Sequence, residues 1–141
     1  MSIGPEYIAG FFDGEGCISA RIIHGRYGDY TRIQTTMNQK YSFILEEIRD
    51  YLKIGHLHRC NNKGRQWRYQ INKREDVVKF LILIYPHLLG KKEQAELAIE
   101  LNNKLLSHDR KTRMSKEERH ERIELVKRIS KLKKEEPCRI L

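Results

Sequence analysis

The 141-residue chain reads as an α+β fold, and three observations lead there. Twice along the chain a helical segment is followed by a pair of stretches that alternate apolar and polar residues with period two. Between the strands of each pair lies a turn rich in glycine or asparagine. After the second pair only helical patterns remain. The expected order is therefore helix, two strands, helix, two strands, then helices.

Pro5 suits the first turn of a helix, where its missing N–H costs nothing. This helix is expected to run through Phe12 and to stop at the glycines that follow. Residues 17–24 form the first strand, with Ile18, Ala20 and Ile22 on one face and Ser19, Arg21 and Ile23 on the other. A turn over residues 25–29 leads to a second strand at about residues 30–38. There Thr31, Ile33, Thr35 and Met37 share one face, opposite Tyr30, Arg32, Gln34, Thr36 and Asn38. A helix over about residues 41–53 carries Ile44, Leu45, Ile48, Tyr51 and Leu52 along a core-facing stripe, and Gly55 is expected to end it. Shorter strands follow at about residues 56–60 and 66–72, joined by a polar turn over 61–65. In the latter strand Trp67, Tyr69 and Ile71 oppose Gln66, Arg68 and Gln70. Glu75 and Asp76 open a helix broken at Pro86. Another helix spans about residues 91–106, and a turn follows over 107–110. Ser115 and Glu118 stand in capping-box spacing at the head of a last helix, where Ile123, Val126, Ile129 and Leu132 are apolar amid Lys and Arg. That helix either packs on the domain with a solvated basic face or lies along DNA phosphates or a partner.

Composition narrows the class. Lys and Arg total 28 against 19 Asp and Glu, a formal net charge of +9. Such an excess on a chain this small points to a polyanion or an anionic membrane surface. With 39% hydrophobic residues the chain is expected to fold as one globular domain with a charged surface. The longest apolar run, residues 80–85, falls far short of the ~20 residues a bilayer span needs. No secretory leader precedes the first helix, so a soluble intracellular protein with no membrane partner is expected, cytoplasmic in a prokaryote or inside an organelle. Cys17, Cys60 and Cys138 are widely spaced and form no CxxC pair, so neither a disulfide framework nor a zinc ribbon is indicated.

Residues 7–16 hold the oddest chemistry. Gly10 sits inside a helix, at a cost of about 1 kcal/mol relative to alanine. Asp13 and Glu15 alternate with Gly14 and Gly16, placing negative charge at a helix C-terminus, where the macrodipole disfavours anions. A bound hard cation would relieve this, since carboxylate, carbonyl and water suit such an ion. An ordinary core helix with an acidic turn is the bland reading of the same residues. The outward strand faces, rich in Arg, Gln, Asn, Thr and Tyr, hold groups that bond base edges and phosphates, though a solvated sheet face is also consistent with them.

The string Ile8-Ala-Gly-Phe-Phe-Asp-Gly-Glu-Gly16 resembles the LAGLIDADG signature of homing endonucleases. The element order matches that family's fold over residues 5 to about 107, which makes 1–107 the core domain and 108–141 a basic helical extension packed on it. The resemblance implies a four-stranded antiparallel saddle in the DNA major groove. It also implies a homodimer, because one motif helix must pair with a second copy, through Ile8, Ala9, Gly10 and Phe12. It implies a divalent metal, expected to be Mg2+, held by Glu15 and the Gly14 carbonyl, with Asp13 serving the helix end. Gln39 matches a residue that positions water. Lys91 matches one that stabilises charge, with Lys92 as its neighbouring alternative. DNA contact falls to Ser19, Arg21, Tyr30, Arg32, Gln34, Thr36, Asn38, His58, Arg68 and Gln70. The implied activity is a staggered double-strand cut in a long pseudo-palindromic site, by a free-standing intron-encoded protein. Competing readings are a non-cleaving maturase or transcription regulator of the same fold, a metal nuclease built on His56 and His58, and a basic structural module.

Overall fold

Helix α1, Pro5–Glu15, opens with proline in its first turn and runs further than the glycines suggest. Rather than stopping at Phe12 it continues through Asp13, Gly14 and Glu15, and the Gly16 N–H closes it on the Phe12 carbonyl. Gly16 is glycine for a steric reason: a Cβ there would lie 2.2 Å from the Phe12 ring. The structure is a computed structural model that describes residues 3–26, 28–60, 66–107 and 114–140. The turn expected at 61–65, most of that at 107–110 and the domain boundary after residue 107 lie outside the described residues.

Four strands form one antiparallel sheet in the order β1-β2-β4-β3. They are β1 Gly16–Gly25, β2 Gly28–Gln39, β3 His56–Arg59 and β4 Trp67–Ile71. β1 and β2 pair from Gly16 opposite Met37 to Gly25 opposite Gly28, so one end of this hairpin abuts α1 and the tip lies roughly 30 Å away. Alternation puts Ile18, Ala20, Ile33, Met37, Tyr69 and Ile71 on a buried face. The helices cover that face, as an α+β layer requires, and leave the polar face open.

Helix α2, Ser42–Leu52, buries Leu45 and Ile48. Tyr51, expected on the same stripe, is 43% exposed, because the buried arc of this short helix is narrower than its apolar residues allow. The helix ends at Lys53, which takes the left-handed conformation (φ 59°), before Gly55 is reached. Gly55 adopts φ +83° beside Tyr69. The Tyr69 hydroxyl donates to the Ile54 carbonyl, and burial raises its pKa. α3, Arg74–Ile84, passes into a 3₁₀ turn at Tyr85–His87. α4, Lys92–Ser107, buries Ala95, Ala98, Leu101 and Leu105. α5, Lys116–Ile140, begins at Ser115, whose Oγ accepts the Glu118 N–H at 3.2 Å. Its Leu125 and Ile129 are buried in the same core cluster as the strands. Arg119 bonds Asp29 at 2.7 Å, and Lys104 bonds Glu121 at 3.0 Å.

Candidate active site and nucleic-acid interface

The C-terminal turn of α1 is tied down by residues nearly eighty positions away. The Asp13 carboxylate accepts the Leu89 N–H at 2.8 Å and the Lys91 N–H at 2.9 Å. The Lys91 ammonium donates to the Asp13 backbone carbonyl at 2.9 Å and is only 5% exposed. A cation at this helix end meets carbonyls that carry partial negative charge. Asp13 is thus engaged in structure, as the sequence reading expects. Lys91 is the lysine that reaches α1; Lys92 is exposed and sits over the Tyr85 ring at 5.2 Å.

Gly14 and Glu15 are both exposed at this end. Together they offer a carboxylate and helix-end carbonyls, oxygen donors that suit a hard divalent cation. Among the described residues no three His, Cys, Asp or Glu side chains converge on one point. His56 and His58 gain no third ligand there. Gln39 ends β2, on the sheet end where Gly16 faces Met37, and its Oε1 accepts the Lys40 N–H at 2.9 Å.

The free side of α1 differs from expectation. Ile8, Ala9 and Phe12 are fully buried in the chain's own core, with Phe12 edge-on to Phe80 at 5.3 Å, so they cannot line a surface between copies. The structure corrects these three assignments and leaves Gly10 exposed. Tyr7 (48% exposed), Gly10 and Gly14 form the open face, and a Cβ at either glycine would meet nothing within 4 Å. The reason is helical geometry: α1 is apolar on most of its circumference, and α3, β1 and β2 pack against the arc that holds Ile8, Ala9 and Phe12.

The polar sheet face is partly pre-arranged. Gln70 Nε2 donates to Gln34 Oε1 at 2.7 Å, and Arg68 Nε donates to Asn38 Oδ1 at 3.1 Å. His58 lies opposite Arg68, Ser19 opposite Gln34, and Thr36 opposite both Cys17 and Gln70. Arg21 and Arg32 are direct cross-strand partners, and both are exposed. Like charges so placed destabilise a sheet, and a polyanion laid over them reverses the sign. Tyr30 is 52% exposed toward the hairpin tip.

An acid-bearing helix thus stands at one end of an antiparallel sheet whose open face is polar and basic. A sequence profile described as LAGLIDADG endonuclease matches residues 8–100, and the chain belongs to that family. Solved structures agree on the fold. One is similar at 23% identity and TM-score 0.79, covering 91% of this chain and 80% of the other: homing endonuclease I-CvuI in complex with the I-CreI target and Mg, with DNA not cleaved. Another is an archaeal intron-encoded homing endonuclease, I-Vdi141I, complexed with DNA, at 22% identity and TM-score 0.80 over 91% and 82% of the two chains. A third, homing endonuclease I-TnaI, has 19% identity and TM-score 0.73 over 96% and 99%. No curated protein sequence matches significantly. Among the described residues no helix is long and apolar enough to cross a membrane.

Proposed function

We propose that this chain acts as a homodimeric, divalent-metal-dependent, site-specific DNA endonuclease making a staggered double-strand break in a pseudo-palindromic site. The observation that carries the reading is the exposed Glu15–Gly14 pair, next to the Asp13 carbonyl that Lys91 bonds, at the end of a helix whose outer face includes Gly10 and Gly14. Glycines at 10 and 14 answer no need within the chain, since nothing lies within 4 Å of either added Cβ. Each costs about 1 kcal/mol in helix propensity, which close approach of a second α1 would explain. Pairing of two such helices would also bring two copies of Glu15 together.

Magnesium held by Glu15 and the Gly14 carbonyl would supply charge neutralisation and lower the pKa of water. The protein's own part follows from chemistry. The Glu15 carboxylate would hold the cation against the scissile phosphate, whose negative charge it would otherwise repel, and Gln39 orients the attacking water. Lys91, whose ammonium donates to the Asp13 carbonyl, brings positive charge to the developing oxyanion. Ser19, Arg21, Tyr30, Arg32, Gln34, Thr36, Asn38, His58, Arg68 and Gln70 face the major groove; Arg suits guanine and Gln suits adenine. Glu15→Gln on a randomised duplex library, with magnesium and with EDTA, tests this. A discrete cut that needs both Glu15 and magnesium, with the variant still binding the selected site, is expected. Tight binding of one sequence without cutting in any divalent metal would instead favour a non-cleaving binder of the same fold.

A further inference from the structure

At the far end of the sheet from Glu15, a cavity of about 1020 Å³ opens between β2, α3, α4 and α5. It adjoins a second of about 310 Å³, with which it shares Asp29, Tyr30, Thr31 and Arg122. Arg122 is only 9% exposed, and among the described residues its guanidinium makes no hydrogen bond or ion pair. An arginine does not deprotonate, so this guanidinium keeps its positive charge at the wall of the cavity. Among the described residues the lining carries more cations than carboxylates. Lys73, Arg74 and Arg119 add three cations to the lining, against the carboxylates of Asp29 and Glu75. Asp29 already accepts His24 Nδ1 at 2.8 Å and Arg119 Nη2 at 2.7 Å. Helix α3 also begins here, at Lys73, with no side-chain cap on its first N–H groups.

A guanidinium fork with further cations around it, and helix N–H groups nearby, matches the three-oxygen face of a phosphate group. A smaller cavity of about 240 Å³, lined by Tyr30, Thr31, Arg32, Ile33, Asn72 and Arg74, adjoins this end of β2. We propose that these cavities form a phosphate cradle centred on Arg122 that takes a DNA backbone phosphate beyond the bases faced by β2. The source of the phosphate rests on the DNA-binding reading above; the chemistry of the cradle does not.

The test uses the full chain in two arms. In the first, inorganic phosphate is titrated against chloride at equal ionic strength while the arginine Nε–Hε NMR signals are followed. A saturable shift of the Arg122 signal is expected. In the second, the selected duplex carries single neutral methylphosphonates near each outer end. One position is expected to lower wild-type affinity about tenfold and to leave Arg122→Gln unaffected, and the variant's slope of log affinity against log salt should fall by about 0.9. If Arg122→Gln does not fold by circular dichroism, Lys73→Gln, an exposed change, takes its place in the same cycle. A phosphate shift with no methylphosphonate effect would make free phosphate the ligand and overturn the DNA source. No response in either arm overturns the cradle even if the wild type binds its site tightly. If no duplex binds, the proposed function fails, and the phosphate arm still decides the cradle.

Discussion

Helices α1 and α2 have the same length, and each precedes a hairpin of the same sheet, yet their outer faces are opposites. α2 turns Phe43, Glu46, Glu47, Asp50 and Tyr51 to solvent, a charged and aromatic surface typical of a helix whose partner is water. α1 turns Glu6 and Tyr7 outward in its first turns but then Gly10 and Gly14, with Glu15 at its end. Their inner faces are alike: Leu45 and Ile48 on α2, Ile8 and Phe12 on α1, all buried. Core packing therefore explains both helices from within. Only α1 leaves an outer face that folding of a single chain does not explain.

The sharpest way to break this comparison is to neutralise one acid on each helix. Glu15→Gln should lower cleavage by about a hundred- to a thousandfold, the scale of losing one charge-stabilising group at a reacting centre. Glu47→Gln on α2 should leave cleavage unchanged; equal losses would remove any special status from Glu15. The next largest effect tests the shared inner faces. Phe12→Ala should cost about 3–5 kcal/mol and Ile48→Ala about 2–5 kcal/mol in urea unfolding. A neutral Phe12→Ala would return that residue to the outer surface.

Glycine separates the two faces of α1 itself. Gly16→Ala drives a methyl into the Phe12 ring and should cost about 1–3 kcal/mol. Gly10→Ala meets open space, so the isolated fold should gain about 1 kcal/mol while the dimer weakens by analytical ultracentrifugation. A Gly10→Ala protein that dimerises as before would mean that the glycine face is not the interface. The smallest effect lies at the hairpin tip. His24 and Arg119 hold the Asp29 carboxyl below its ordinary 3.8, with the His24 hydrogen bond as the largest cause. This tie stabilises the fold above that unfolded value and is lost as pH falls through the depressed folded value. Asp29→Asn should therefore speed hydrogen exchange at the start of α5 near neutral pH, and the difference from wild type should vanish in acid, below the depressed folded value.

Much of the fold was legible because periodicity reports which residues share a face. The inward set on β2, Thr31, Ile33, Thr35 and Met37, is buried as its alternation implies, and Tyr30 and Arg32 are exposed opposite it. The boundaries moved where local signals competed with packing: α1 passes through Gly14 because Asp13 is held by the backbone at Leu89 and Lys91. Arg122 drew no attention in the sequence, since one arginine among many on a basic helix carries no local mark.

Sequence by itself determined the order of elements, the two faces of each strand, the excess of positive charge and the acid–glycine motif. These depend on neighbours a few residues apart, where backbone geometry alone decides what lies beside what. Tertiary structure decided which side of α1 stays open, that Lys91 rather than Lys92 meets its end, and that Arg122 lines one cavity with Lys73 and Arg74. A helix apolar on most of its circumference has no period that selects a side. Residues from three distant segments share a cavity only once the chain has closed around its core.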